Sequence, residues 1–262
     1  MHRLISLLIV VLPMCEAFSA PTCDVRSGPM TAALVELYTS EGCSSCPPAD
    51  RRLSQLPDRE LTTDKLVPIA LHVDYWDYIG WRDPYAKAAF SERQHWLVNV
   101  NNQATVYTPH FFVSGRELGN WSSDLVSETR RINRQPARAN VGLRSSNTKS
   151  GILSLDVQAS SADVSAPLGL FVTITESKLV SQVRAGENKG ATLVHDHVVR
   201  EWIGPIALVN GAVTAHREIA LGTGWNSAEI GAVGFVQNTS TGEVLQAVSA
   251  EHCATAQAIR SN

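Results

Sequence analysis

The chain has 262 residues, 44% of them hydrophobic and 18% charged, with a formal net charge of −3. That length can bury a sizeable core, and by size two. The slight negative charge leaves no basic footprint, which sets nucleic acid aside as a partner, and no apolar run of membrane-spanning length follows the N-terminal stretch.

The first twenty residues read as an export signal: a weakly basic start at His2-Arg3, an apolar stretch from Leu4 to Leu12, then the small residues Ala17, Ser19 and Ala20. Cleavage is expected near Ala20, which predicts a secreted or periplasmic bacterial protein. Cys15 then falls in the discarded piece, since Pro13-Met14 before it lacks the small residue of a lipid-attachment site. Export leaves Cys23, Cys43, Cys46 and Cys253, an even set in an oxidising compartment. Cys43 and Cys46 pair locally. Cys23 and Cys253, near the two ends of the mature chain, are expected to form a structural disulfide, worth about 5 kcal/mol in a chain-entropy model. The alternative is two separate free thiols.

Ala33 to Thr39 reads as a buried strand, and Cys43-Ser44-Ser45-Cys46-Pro47-Pro48 follows it. Thiols at i and i+3 on a first helical turn share one face, close enough to bridge. At a helix N-terminus, unpaired N–H groups and the positive dipole end favour a thiolate at Cys43. Pro47-Pro48 suits that first turn, and a helix continues through Leu56. Val67 to Asp74 is a second strand, whose early Pro68 suggests an edge or a strand start. Tyr85 to Val100 has helical spacing. Val106 to Val113 begins a third strand, Ser114-Gly115-Arg116 turns, and a short fourth strand reaches Leu118. Ser122 or Ser123 caps a last helix to about Asn133.

The pattern changes at Gln135-Pro136. Beyond it come short, β-branched, alternating segments, such as Leu153 to Val157, Leu168 to Thr175, Ile206 to Asn210 and Ile230 to Gln237. Turn signals at Lys149-Ser150-Gly151, Asn210-Gly211 and Thr241-Gly242 separate them. The expected architecture is an α/β thioredoxin-like domain (β-α-β-α-β-β-α) over residues 31–134. A mainly antiparallel β-sandwich-like domain over 138–252 follows it.

Residues 33–134 resemble a thioredoxin-fold domain. More narrowly, the run from Val35 through CSSCPPAD (Cys43 to Asp50) resembles a family of secreted bacterial proteins known only as thioredoxin-like and of unknown function. So do HVDYWDYIGWRDP (His72 to Pro84), VYTPHFFVSG (Val106 to Gly115) and GENKGATLVHDHVVREW (Gly186 to Trp202). The resemblance implies a cis-proline facing the cysteines, placed at Thr108-Pro109, where the Thr108 backbone would pair with an extended substrate. It also implies a buried acid that relays a proton from the resolving thiol. Glu36 is the candidate, one residue out of the usual spacing; the alternative is that Glu36 pairs with a basic group or a neighbouring loop. The Ser44-Ser45 dipeptide leaves the direction of electron flow open.

Asp74 to Trp81 follows the second strand and should neighbour the cysteine loop. Trp76 and Asp77 are read as a substrate rim and Trp81 as an aromatic plug between the domains. His195 and His197 would share one face of a strand, more in keeping with solvated side chains than with a metal pair. His110 is a weak candidate metal ligand near the thiolates. Asn120 and Asn238 match a glycosylation pattern that carries no weight in bacterial export. The leading function is an exported thiol–disulfide oxidoreductase with no cofactor, acting on protein thiols or disulfides or on a redox partner. Cys43 would be its nucleophile, Cys46 its resolving thiol and Pro109 the residue shaping the groove. The alternatives are a copper or other soft-metal protein using the same cysteines, and an interaction module in which Cys43–Cys46 is a permanent staple.

Overall fold

The computed structural model describes residues 22–59, 61–147 and 151–251. The expected export signal, its expected cleavage site and Cys253 lie outside the described residues.

The first half builds strands and helices close to where periodicity placed them. After β1 (Thr22–Arg26) come β2 (Ala33–Thr39), α1 (Cys46–Arg59), β3 (Leu66–His72), α2 (Ala88–Val100), β4 (His110–Val113), β5 (Arg116–Leu118) and α3 (Trp121–Ile132). The remainder is strand: β6 (Ala139–Asn147), β7 (Ile152–Ser161), β8 (Leu168–Glu176), β9 (Leu179–Gln182), β10 (Thr192–His195), β11 (Val198–Ala207), β12 (Ala212–Ala220), β13 (Ile230–Asn238) and β14 (Val244–Ser249).

Their assembly corrects the expected fold class. There is no small α/β domain followed by a separate sandwich. One eight-stranded sheet runs β14-β13-β8-β11-β3-β2-β4-β5 and draws four strands from each half of the chain. A four-stranded sheet, β1-β6-β7-β12, covers one end of it. The join is β11 against β3, parallel, with Val198 opposite Ala70 and the Ala70 amide bonded to the His197 carbonyl at 2.9 Å. Pro68 therefore does not mark an edge strand. The paired position on that side lies two residues beyond it, where no proline N–H is needed.

Side-chain burial explains why the two halves cannot separate. All nine positions of β8 are buried, because both faces of that strand are covered. Leu168, Leu170, Val172 and Ile174 meet the four-stranded sheet. Phe171, on the other face, joins Phe235, Val233 and Val199 in a core shared with Leu34, Tyr38, Ile69 and Leu71 of β2 and β3 and with Phe90 and Leu97 of α2. A third cluster sets α1 (Ala49, Leu53, Leu56) and α3 (Leu125, Ile132) against Val35, Leu37, Phe111 and Val113. The helix α2 thus spans a single apolar face made by both halves. Even the expected linker is tied down: Thr31 N–H donates to the Gln135 carbonyl, and Ala137 N–H to that of Pro29, both near 3 Å.

Candidate functional site

The chain leaves β2 at Thr39 and turns through residues 40–45 before α1. Cys43 and Cys46 are joined by a disulfide, with their Cα atoms 5.5 Å apart. The helix begins at Cys46, not at Cys43, and Cys43 stands in the turn before it, its carbonyl accepting the Cys46 amide at 3.2 Å. A nucleophilic Cys43 is expected to be exposed, and the structure corrects this. Cys43 is 1% exposed and Cys46 0%, although Ser44 and Ser45 between them face solvent.

Cys43 does face residues 108–109. Its sulfur lies 3.7 Å from the Thr108 carbonyl and 3.2 Å from the Ser45 hydroxyl, and the Thr108–Pro109 bond is cis. Trp76 is half-buried and donates its indole N–H to the Thr108 hydroxyl at 2.7 Å, while Tyr78 stacks on its outer side. Asp77 starts a single 3-10 turn (Asp77–Ile79) and turns inward, accepting the Asp83 amide at 3.1 Å. Trp81 donates to Glu41 at 2.8 Å.

Cover over Cys43 comes from the second half. Between β9 and β10 the chain forms a tip, residues 184–190. The Glu187 carboxylate accepts the Ser44 amide at 2.9 Å. The Asn188 side-chain amide donates to the carbonyls of Glu41 and Cys43 at 2.8 and 2.9 Å. Sequence reasoning missed both residues, although the stretch that contains them, Gly186 to Trp202, stood out.

Behind the cysteine loop lies a buried polar group that was also missed. His72 bonds Asp83 at 2.7 Å, and the Glu41 amide donates to the same carboxylate at 2.8 Å. His195 bonds the Glu41 carboxylate at 3.1 Å and lies 3.9 Å from Asp50 of α1. The rings of His72 and His195 meet edge to face at 4.9 Å, and among the described residues His72 Nε2 and His195 Nδ1 have no hydrogen-bond partner. His195 and His197 are therefore neither solvated nor on one strand face: β10 ends at His195, and His197 occupies a left-handed bend (φ 58°).

Burial alone would push the His72 imidazole down, but the Asp83 carboxylate, together with Asp50 and Glu41, more than offsets this and holds it above the usual histidine range. Burial likewise pushes Asp83 up, and His72 reverses it to a net lowering. A raised His72 contributes stability that is complete below its unfolded value of 6.5 and lost as pH climbs through its folded value. Asp83 contributes above 3.8 and loses that contribution as pH falls. The urea midpoint is therefore expected to drop as pH rises from 6.5 toward 9, and Asp83→Asn should flatten that slope. A wild-type midpoint that is level across this range would show that His72 does not hold its proton in the fold.

Two other expectations are placed by the structure. Glu36 is fully buried and bonds Arg93 of α2 at 2.7 and 2.9 Å and the Tyr38 hydroxyl at 3.0 Å, so it has the basic partner given as the alternative to a proton relay. His110 is fully buried, with Nδ1 at Gln94 and Nε2 at Glu117, so neither ring nitrogen is turned to the sulfurs. Burial first, against the pull of Glu117, leaves its pKa lowered. Among the described residues no group of three or more His, Cys, Asp or Glu is arranged to hold a metal ion. Cys23 sits buried in β1, 3.8 Å from the Ala250 carbonyl; its expected pairing with Cys253 lies outside the described residues.

Residues 34–237 match the family model described as "Protein of unknown function (DUF1223)", and the chain belongs to that family. The crystal structure of protein AGR_C_4864 from Agrobacterium tumefaciens is similar at a TM-score of 0.63 and 20% identity, over 86% of this chain and 96% of that one. HBP35 of Porphyromonas gingivalis is similar at a TM-score of 0.64 and 16% identity, over 85% of this chain and 76% of that one. At these identities the similarity shows the fold alone. No match is found among curated proteins.

Proposed function

We propose that this member of the DUF1223 family is an exported thiol–disulfide oxidoreductase that uses the Cys43–Cys46 pair on protein thiols or disulfides. In the reducing direction, the Cys43 thiolate attacks one sulfur of a substrate disulfide and expels the other as a thiolate. Cys46 gives up its proton, attacks the Cys43 sulfur and expels the remaining substrate thiolate. The substrate gains two electrons from the cysteine pair, and its two thiolates take up the proton given up by Cys46 and the one that Cys43 released on ionising. In the oxidising direction the same steps run backwards from the disulfide form. The potential of the pair against that of its partner sets the direction.

The support is the position of Cys43: its sulfur stands 3.7 Å from the Thr108 carbonyl, beside the exposed Ser44-Ser45. A substrate segment laid along residues 107–108 would meet a backbone acceptor and the reactive sulfur together, with Trp76 and Tyr78 as its rim. Export accords with a disulfide that persists in an oxidising compartment.

A second reading, the permanent staple, is favoured by the near-zero exposure of both sulfurs. Equilibration of the full chain in glutathione redox buffers separates the two. Exchange chemistry predicts a potential between about −120 and −270 mV, whereas a staple lies below about −300 mV. A value in the lower range, with no reduction of insulin disulfides, would overturn the proposal.

A further inference from the structure

Exchange at a sulfur that is 1% exposed requires something to move, and the most weakly held cover is the tip of the β9–β10 hairpin. Among the described residues the backbone ladder of these two strands pairs only β9 with β10 and joins neither large sheet, while Ser181 and His195 tie the stem to Tyr85 and Glu41 through side chains. The stem is anchored by buried Val183, Leu193 and His195. Residues 184–190 are different. None is buried, and the tip's backbone hydrogen bonds stay within the hairpin. Gly186 and Gly190 have φ of +72° and +89°, where glycine bends the backbone without steric cost, and Gly186 lies close against the side chains of Ile79 and Trp81, the apolar contact the tip makes across the gap. A segment with few buried apolar contacts opens locally at low cost. Across the gap, the hydrogen bonds that hold it closed are made by two side chains, Glu187 to the Ser44 amide and Asn188 to the carbonyls of Glu41 and Cys43.

The geometry points to the tip at residues 184–190 as a lid over Cys43, with Glu187 and Asn188 as the latch that keeps the disulfide closed until a partner displaces it. This inference rests on the exchange reading for its purpose. The latch occupies one amide N–H and two carbonyls of the cysteine loop, so its release frees backbone groups there in addition to the Thr108 carbonyl proposed for the substrate. Glu187 is held below the usual carboxylate range by the Ser44 hydroxyl and amide, in keeping with a charged latch.

The test is the rate at which dithiothreitol reduces Cys43–Cys46 in the full-length oxidised chain. Glu187→Gln should speed it about threefold, and Asn188→Ala, which loses two hydrogen bonds, about tenfold. The wild-type rate should rise with added salt, which screens an exposed charge, and the Glu187→Gln rate should not. Amide exchange should quicken at 184–190 and stay unchanged in β2 and β8, which separates lid opening from a general loosening. Unchanged rates in both variants, or quickening spread through the sheets, would overturn the lid. Failure of exchange with protein substrates would instead remove the function and leave this measurement standing.

Discussion

Arg93→Ala is expected to lower the free energy of unfolding by about 3–5 kcal/mol, read from the urea midpoint. Arg93 and Glu36 form a two-point ion pair at 2.7 and 2.9 Å with side-chain exposures of 7% and 0%. A third bond reaches the Gln237 side chain of β13 at 3.2 Å, and the guanidinium lies 4.3 Å from the centre of the Trp202 ring. One residue of α2 thereby ties β2 to β11 and β13. Removing it leaves a carboxylate in a dry interior without its cation, and that desolvation is most of the cost. The double change Arg93→Met with Glu36→Leu removes both charges and should cost far less than the single one. A single-variant loss under about 1 kcal/mol would mean that the pair is not buried as described.

Cys43→Ser should reduce thiol–disulfide exchange to background, while Cys46→Ala should retain the first attack and accumulate a mixed disulfide with the substrate. The asymmetry follows from placement. Cys43 sits in the turn next to exposed Ser44 and against the Thr108 carbonyl, whereas Cys46 is the first residue of α1 beneath it. An incoming disulfide meets residue 43 first. A serine hydroxyl at either position cannot close the second bond. Mass spectrometry of the Cys46→Ala protein after incubation with oxidised substrate reads the trapped species directly. Trapping by Cys43→Ala and not by Cys46→Ala would reverse the roles, and trapping by neither would remove the exchange chemistry altogether.

Most secondary structure in the first half was legible because its signals are local. The run at 33–39, apolar on either side of Glu36, forms a strand covered on both faces, and the turn at Ser114-Gly115 leads into β5. The juxtaposition of residues 43 and 108 came from a resemblance and not from any spacing in the chain. What misled was the change of pattern at Gln135-Pro136. It looks like a domain boundary because the period of burial changes there. Yet Phe171, Trp202 and Phe235, far beyond that point, pack into the core that α2 shares with β2 and β3.

The amino-acid order alone located most strands and helices of the first half, a pair of cysteines three apart of which the second opens a helix, and an aromatic segment after β3. Periodicity reports which side of an element is buried, and it does so within ten or so residues. It carries no information on which edge of β3 accepts a neighbour, on which cation meets Glu36, or on what lies over Cys43. Those were decided by contacts between residues 57, 128 and 145 positions apart: Arg93 with Glu36, Val198 with Ala70, and Asn188 with Cys43. Such contacts form only when distant surfaces complement one another, and that complementarity is a property of the assembled core.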